Sequence, residues 1–307
     1  MRQQDKCSVA NGLPRWDPAT DAGIVSAMRP TRLTLVLAVG LLAPGLLAQG
    51  CAAAPEAPDG MSDLSRFLIR EFDNEDPRVM EAGIANLEAS LSVFDLEGPR
   101  GDRGFDPDDL TEDDVSAIEH PDVPVDGCVP VGLVGGSPHD VEWFGRYTLV
   151  TDQSPAEPSA ASYARTFLAP EDPDCFGEDD DCPLLNTSNQ IRRANILYTV
   201  DFELWKDFRW FDVVADDEPT GRRTLISRSW FKESFEGVNG QNTIVQSFTL
   251  DVFIGAEGGG TWRYHVLWSE ADLATPVEES VTQGTVRLSI DQHFTAHDEA
   301  IAELFAL

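Results

Sequence analysis

His293 and His297 are four residues apart, the spacing that lets two imidazoles on one helix share a metal ion. Thr295 with Asp298, however, reads as a capping box that opens a short final helix running to about Ala306. That box puts His293 ahead of the helix and His297 inside it, so the sequence predicts no shared face and no metal site. The segment GGSPHD offers Ser137, His139 and Asp140, the residue types of a hydrolase triad. Triad members converge from distant segments, and no strand–Gly-x-Ser-x-Gly–helix context surrounds these three, so a polar turn is expected. Seven carboxylates gather between Glu171 and Asp181. Calcium takes several such oxygens, but the ligand spacing of a calcium loop is missing, and the run reads as solvated surface. Nothing in the chain calls for a cofactor.

The aromatic residues are more informative. Trp205, Trp210, Trp230, Trp262 and Trp268 all fall in a region of apolar–polar alternation. Burying each large side chain contributes about 1.5–3 kcal/mol, so a packed core explains them at once. The competing explanation is a concave, aromatic-lined pocket for an apolar ligand, built from Tyr198, Phe202, Trp230, Phe248, Trp262, Tyr264 and Trp268.

Beyond the apolar stretch that ends at Cys51, three cysteines remain. Cys175 and Cys182 flank the acidic segment FGEDDD, and a local disulfide between them is the simplest pairing in an oxidising compartment. Cys128 pairing with either is the alternative, and one thiol is left over in every case.

In the stretch LTLVLAVGLLAPGLLAQGC, residues 33–51, the apolar part runs only from Leu33 to Leu47, 15 residues interrupted by Pro44 and Gly45, too short for a membrane span, which needs about 20 apolar residues. Arg29 and Arg32 precede it and Gly50-Cys51 closes it, the layout of an export signal. A small residue followed by Cys at that exit resembles the lipobox of bacterial lipoproteins, although Ala48 stands where that pattern usually has Leu. The resemblance covers residues 28–51. It implies cleavage before Cys51, lipidation of the Cys51 sulfur, and attachment to a membrane through the N-terminal lipid. Ala52 stands where an Asp marks inner-membrane retention in enteric lipoproteins, which implies the outer membrane. Met28 reads as the true start, residues 1–27 as a non-native extension, 28–50 as signal peptide and 51–60 as a flexible tether.

Without residues 1–50 the chain has 17 basic against 51 acidic residues, a net charge of −34. Such a surface repels nucleic acid and anionic lipid headgroups, so no nucleic-acid partner is expected. Ten acids and one Arg fall within residues 101–127, whereas ten of the 17 basic residues fall within 190–290.

These residues need elements to hold them. Ser62 or Asp63 caps a helix carrying Leu64, Phe67, Leu68 and Phe72, and Asp76-Pro77 starts a second with Val79, Ile84, Leu87 and Leu91. Residues 95–142 read as a loop-rich acidic insertion, 143–150 as a short strand, and 160–168 as a short helix. From about Ile196 the period becomes two, through 244–254, 262–268 and 286–290, with Asn239-Gly240 as a hairpin turn. The segment WKDFR, residues 205–209, fits either a bulged long strand or a hairpin. Tyr198, Phe202, Phe248, Leu250, Trp262, Tyr264, Val266 and Trp268 share even numbering, which predicts one common face turned toward the helices.

The expected fold of 61–307 is a single α+β domain. It is a curved antiparallel β-meander of five to seven strands packed by the N-terminal helices and a short C-terminal helix. In topology this is similar to helix-grip and cone-shaped lipid- and steroid-binding folds, and to the half-barrels of lipoprotein carriers. The expected function is a non-enzymatic, lipid-anchored binding or structural module of the cell envelope, with an apolar small molecule or an envelope protein as partner. The alternative is an envelope hydrolase without a recognisable motif.

Overall fold

A computed structural model describes residues 56–96, 98–178, 182–194, 199–215, 218–237, 240, 242–273 and 278–307. Cys51, expected as the lipid attachment site, residues 28–50, expected as its leader, and Tyr198 lie outside the described residues. Two helices open the domain, α1 (Met61–Arg70) and α2 (Pro77–Leu91). Asp76 caps α2, accepting from the Arg78 backbone N–H, with Pro77 at the first helical position. The cap of α1 is Gly60 rather than Ser62 or Asp63, both of which lie inside its first turn. The remaining helices are a short turn, α3 (Arg100–Arg103), then α4 (Val141–Thr148) and α5 (Glu279–Phe305).

The strands are β1 (Gly104–Phe105), β2 (Val129–Ser137), β3 (Ala160–Ala169), β4 (Leu184–Ala194) and β5 (Thr199–Ala215). They continue with β6 (Glu218–Trp230), β7 (Phe235–Glu236), β8 (Asn242–Gly255) and β9 (Thr261–Leu273). Together they form one open antiparallel sheet of nine strands, not five to seven, in the order β1-β2-β9-β8-β6-β5-β4-β3. The short β7 pairs with β8. From β3 to β9 the chain is a meander, and β1–β2 adds to its β9 edge.

Three full-length strands, β2, β3 and β4, come from segments whose alternation the sequence conceals. β2 is VPVGLVGGS, inside the predicted insertion, and its glycines leave room for neighbours. A Cβ on Gly132 would sit 2.4 Å from the Phe105 ring, which lies over it. β3 stands where a helix is predicted: buried Tyr163 and Arg165 alternate with exposed Ser162, Ala164 and Thr166, a period of two carried by one aromatic and one arginine. The reverse holds for 143–150. There Val141, Phe144, Tyr147 and Thr148 are buried at three- and four-residue spacing, which makes α4 a helix. WKDFR runs straight through β5, with a register irregularity only between Asp212 and Val214.

The largest departure is α5. Val286, Leu288 and Ile290 alternate like a strand, yet all three are helical. Val286 and Ile290 face the sheet while Leu288, half a turn away, is exposed. Thr295 is no cap, since its hydroxyl donates to the Asp291 carbonyl one turn earlier within a 27-residue helix.

One face of the sheet packs α1 and α2. Trp230, Phe248, Leu250, Val252, Tyr264, Val266 and Trp268 meet Leu64, Phe67, Leu68, Met80, Ile84 and Leu87 in the largest core cluster. Arg228 is buried on this face, paired with Asp207 at 2.8 Å and stacked 4.3 Å over Phe72. The other face is covered at one end by α4 and the end of α5, where Phe144, Tyr147, Ala300 and Ile301 meet Phe208, Trp210, Leu225 and Phe253. Beneath the first half of α5 this second face is not filled.

Candidate functional site

Cross-strand register defines what lies under α5. Phe208, Ser227, Asp251, His265 and Leu133 stand in one rung across β5, β6, β8, β9 and β2. Lys206, Ser229, Thr249, Leu267 and Val131 make the next rung, and Ser247 pairs with Ser269 in the one after. Against these rungs α5 sets Val286, Ser289, Ile290, Gln292 and His293. The space between is a cleft of about 390 Å³, closed at one end by Glu157, Pro158, Ser159 and Arg193. Leu204, Phe231, Ile244 and Leu267 supply its apolar wall.

Glu157, Lys206, Asp251 and His293 also line a small adjoining cavity of about 20 Å³ toward Phe144 and His297, so they form the inner end of the cleft. Their partners are specific. Asp251 Oδ1 is hydrogen-bonded to His265 Nδ1, and Asp251 Oδ2 accepts from Ser227 Oγ at 3.2 Å. Lys206 Nζ lies 3.7 Å from Asp251 Oδ2. Arg193 reaches Glu157 at 3.3 Å, and His293 Nδ1 is bonded to the Ala156 carbonyl at 2.8 Å.

Burial alone would raise the Asp251 pKa, but the His265 charge and hydrogen bond, with the Lys206 ammonium, outweigh it and hold the carboxyl well below the usual carboxylate range. Burial likewise opposes ionisation of Glu157, and the charges of His293, Arg193 and Lys206 overcome it, so its pKa is lowered too. His293 and His297 move the other way in charge. Burial lowers both, His297 furthest, with His293 and Arg263 adding repulsion. An imidazole held through Nδ1 by an ionised carboxylate can take or give a proton at its other nitrogen, which is one chemistry open to His265.

The aromatic set predicted as a pocket is placed elsewhere. Trp230, Phe248, Tyr264 and Trp268 are buried in the solid core under α1 and α2, with Trp262 packed against it. Among the described members of that set, Phe202 alone lines the cleft, on the opposite face. The reason is register. From Gln246 onward along β8, pairs across β6–β8 and β8–β9 have numbers that add to even values, as in Trp230 with Phe248 and Phe248 with Trp268. Across β5–β6 the pairing is Trp205 with Trp230, so numbering parity inverts and even positions of β5 point to the cleft. The cleft residues missed by sequence reasoning, Lys206, Asp251 and His265, are the polar members of the same alternation, and β8–β9 hairpin register would have paired Asp251 with His265.

The other candidates resolve into structure. Ser137 Oγ donates to Asp298 at 2.7 Å, the His139 ring contacts the Asp298 carbonyl at 3.1 Å, and Asp140 accepts from the Gly260 N–H at 3.0 Å. They clamp α4 and the β8–β9 turn to α5. His293 and His297 both lie on α5, with ring centroids 5.6 Å apart, so the expected separation of the pair across the helix start is corrected. Among the described residues no group of three or more His, Cys, Asp or Glu is arranged to hold a metal. Cys175 and Cys182 are joined as a disulfide, and Cys128 is a buried free thiol. None of the described helices is long and apolar enough to cross a membrane.

No protein-family model matches the chain, and no curated protein matches its sequence. Among solved structures it is similar to a STAR-related lipid transfer protein fragment from Xanthomonas axonopodis, with 9% identity, TM-score 0.37, and coverage of 56% of this chain and 85% of that one. It is also similar to a protein of Thermus thermophilus, with 17% identity, TM-score 0.33, and coverage of 57% and 98%. A human lipid transfer and protein localization domain, StarD13, gives 12% identity, TM-score 0.33, and coverage of 55% and 77%. Likeness at this level identifies no family.

Proposed function

We propose that this chain is a non-enzymatic, lipid-anchored binding module of the bacterial envelope whose site is the cleft between α5 and the sheet. The carrying observation is the cleft itself: about 390 Å³, apolar on one side, with hydroxyls and charged groups gathered at its inner end. Its size falls within the roughly 300–1,000 Å³ common for small-molecule sites, and its lining suits an amphiphile with an apolar body and a polar head. The solid core on the opposite face leaves the aromatic cluster a structural role. Attachment through Cys51, the leader at 28–50 and an outer-membrane address rest on the lipobox resemblance alone.

The test is titration of the chain with N-phenyl-1-naphthylamine, a neutral apolar fluorophore. Saturable enhancement is expected for the native chain, and Thr249→Trp, which fills the middle rung, should abolish it while the melting temperature is retained. Absence of saturable binding, or binding unchanged by Thr249→Trp, removes the reading. For the anchor, Cys51→Ala should give an unprocessed or released protein. Fractionation of that variant with membranes at its mature mass would sink the lipid attachment.

A second reading is favoured by the Asp251–His265 pair, which faces the cleft. It would make the chain a hydrolase using His265 as general base. Turnover of an ester panel that disappears in His265→Asn supports this reading, and turnover unaffected by the change ends it.

A further inference from the structure

Lys206 stands in the middle rung of the cleft wall, opposite Thr187 on β4 and Ser229 on β6. Its side chain is only 17% exposed, yet its ammonium makes no hydrogen bond to another described residue. The nearest anion, Asp251 Oδ2, is 3.7 Å away, beyond hydrogen-bond reach. Both acids at the inner end have closer partners. Asp251 is held by His265 and Ser227, and Glu157 by Arg193. The ammonium therefore sits at ion-pair distance from Asp251 and 5.5 Å from the Phe208 ring centroid, with its three donors left for an acceptor in the cleft. Beside it on the same rung, the hydroxyls of Ser229 and Thr249 also make no hydrogen bond to a described residue. The apolar wall at Leu204, Phe231 and Leu267 begins next to these groups.

We propose that the cleft selects an amphiphile with an anionic carboxylate head, and that Lys206 is the group that reads the head. The inference rests on the cleft being a ligand site and adds the charge of the ligand to that reading. A carboxylate meets the ammonium and the Ser229 and Thr249 hydroxyls with charge-assisted hydrogen bonds, which are about twice as strong as neutral ones. An alcohol of equal length satisfies fewer donors and no charge, and a quaternary ammonium offers the Lys206 donors no acceptor. The apolar body then lies along Leu204, Phe231 and Leu267, under Val286 and Ile290 of α5.

The experiment is calorimetric titration of the full chain with dodecanoate, dodecanol and dodecyltrimethylammonium below their aggregation concentrations. The native chain should bind dodecanoate about tenfold or more tighter than dodecanol, the size of one charge-assisted bond. Lys206→Met should remove that preference while leaving dodecanol affinity in place, and Lys206→Arg should keep it. The native-chain ratio decides the matter if Lys206→Met does not fold. Equal affinity for dodecanoate and dodecanol in the native chain, or a preference that survives Lys206→Met, overturns the role of Lys206 while the cleft remains a ligand site. Failure of all three probes to bind overturns both.

Discussion

His265 stands directly opposite Asp251 in the β8–β9 ladder, and its Nδ1 is hydrogen-bonded to Asp251 Oδ1. The pair lies on the cleft face, one residue from Leu250 and Tyr264, which are buried in the core of the other face. A single hairpin register thus fixes both the hydrophobic face and the charged floor of the cleft. Because the Asp251 pKa is depressed in the fold, its contribution to stability is present above the ordinary carboxylate range. It is lost as pH falls through that range toward the depressed value. Asp251→Asn should therefore lower the melting temperature at pH 7 and flatten the acid limb of the stability curve below about pH 4, as measured by thermal denaturation across pH.

His297 should act at milder pH. Its ring packs among Phe144, Tyr147 and Phe253, and its Nε2 is buried without a partner. Burial holds the folded pKa well below its ordinary value, so the unfolded chain takes up a proton first as pH falls past about 6.5. Stability is then fully present above that pH and declines beneath it. His297→Phe should reduce the loss of melting temperature between pH 7.5 and 5.5. An unchanged slope in that variant would show that His297 does not set the dependence.

Trp268 tests the assignment of faces. It is fully buried under α1, and its indole N–H donates to the Asp108 carbonyl at 2.9 Å. Trp268→Ala should cost about 3–5 kcal/mol in chemical denaturation. Since the ring lies across the sheet from the cleft, the variant should bind N-phenyl-1-naphthylamine as the native chain does wherever it remains folded. Loss of binding in a folded Trp268→Ala chain would place the site on the wrong face.

Trp210 is held between two glycines. A Cβ on Gly145 would fall 2.2 Å from its Cζ2, and one on Gly177, whose φ is +79°, 2.5 Å from its Nε1. Arg223 covers the same ring at 4.1 Å. Gly145→Ala must push the indole aside and should destabilise by about 1–3 kcal/mol. A Gly145→Ala, Trp210→Leu double variant should recover part of that loss; independent, additive effects would refute the contact.

The cysteines give a chemical test. Burial pushes the Cys128 thiol up to about 12, with nearby carboxylates adding to the shift. Iodoacetamide should leave the Cys128 peptide unmodified in the folded chain and label it in denaturant, while non-reducing maps show Cys175 joined to Cys182. That bond closes a loop of eight residues, worth about 2.5 kcal/mol in the chain-entropy model, so Cys175→Ser with Cys182→Ser should lower stability by that order. Free Cys175, or a Cys128 bridge, would contradict the pairing.

How much of this was written in the chain is clearest strand by strand. Helices α1 and α2 and strands β8 and β9 follow from local periodicity, because each buries an apolar stripe in the core under α1 and α2, whereas β5 and β6 bury apolar residues on both faces of the sheet. β2, β3 and β4 do not follow from periodicity: glycine, arginine and asparagine stand at their inward positions, and only neighbours such as Phe105 over Gly132 show why. The length of α5 was equally hidden, since Val286, Leu288 and Ile290 satisfy period two as well as part of a helical face. Local sequence specifies which residues alternate within a strand, a property of the pleat. Which alternate set faces the core, and which lines the cleft, is settled by tertiary register alone, because the Trp205–Trp230 pairing inverts parity between β5 and β6. That inversion turns Phe202 and Lys206 away from Trp268, and it is a relation between strands that no single strand encodes.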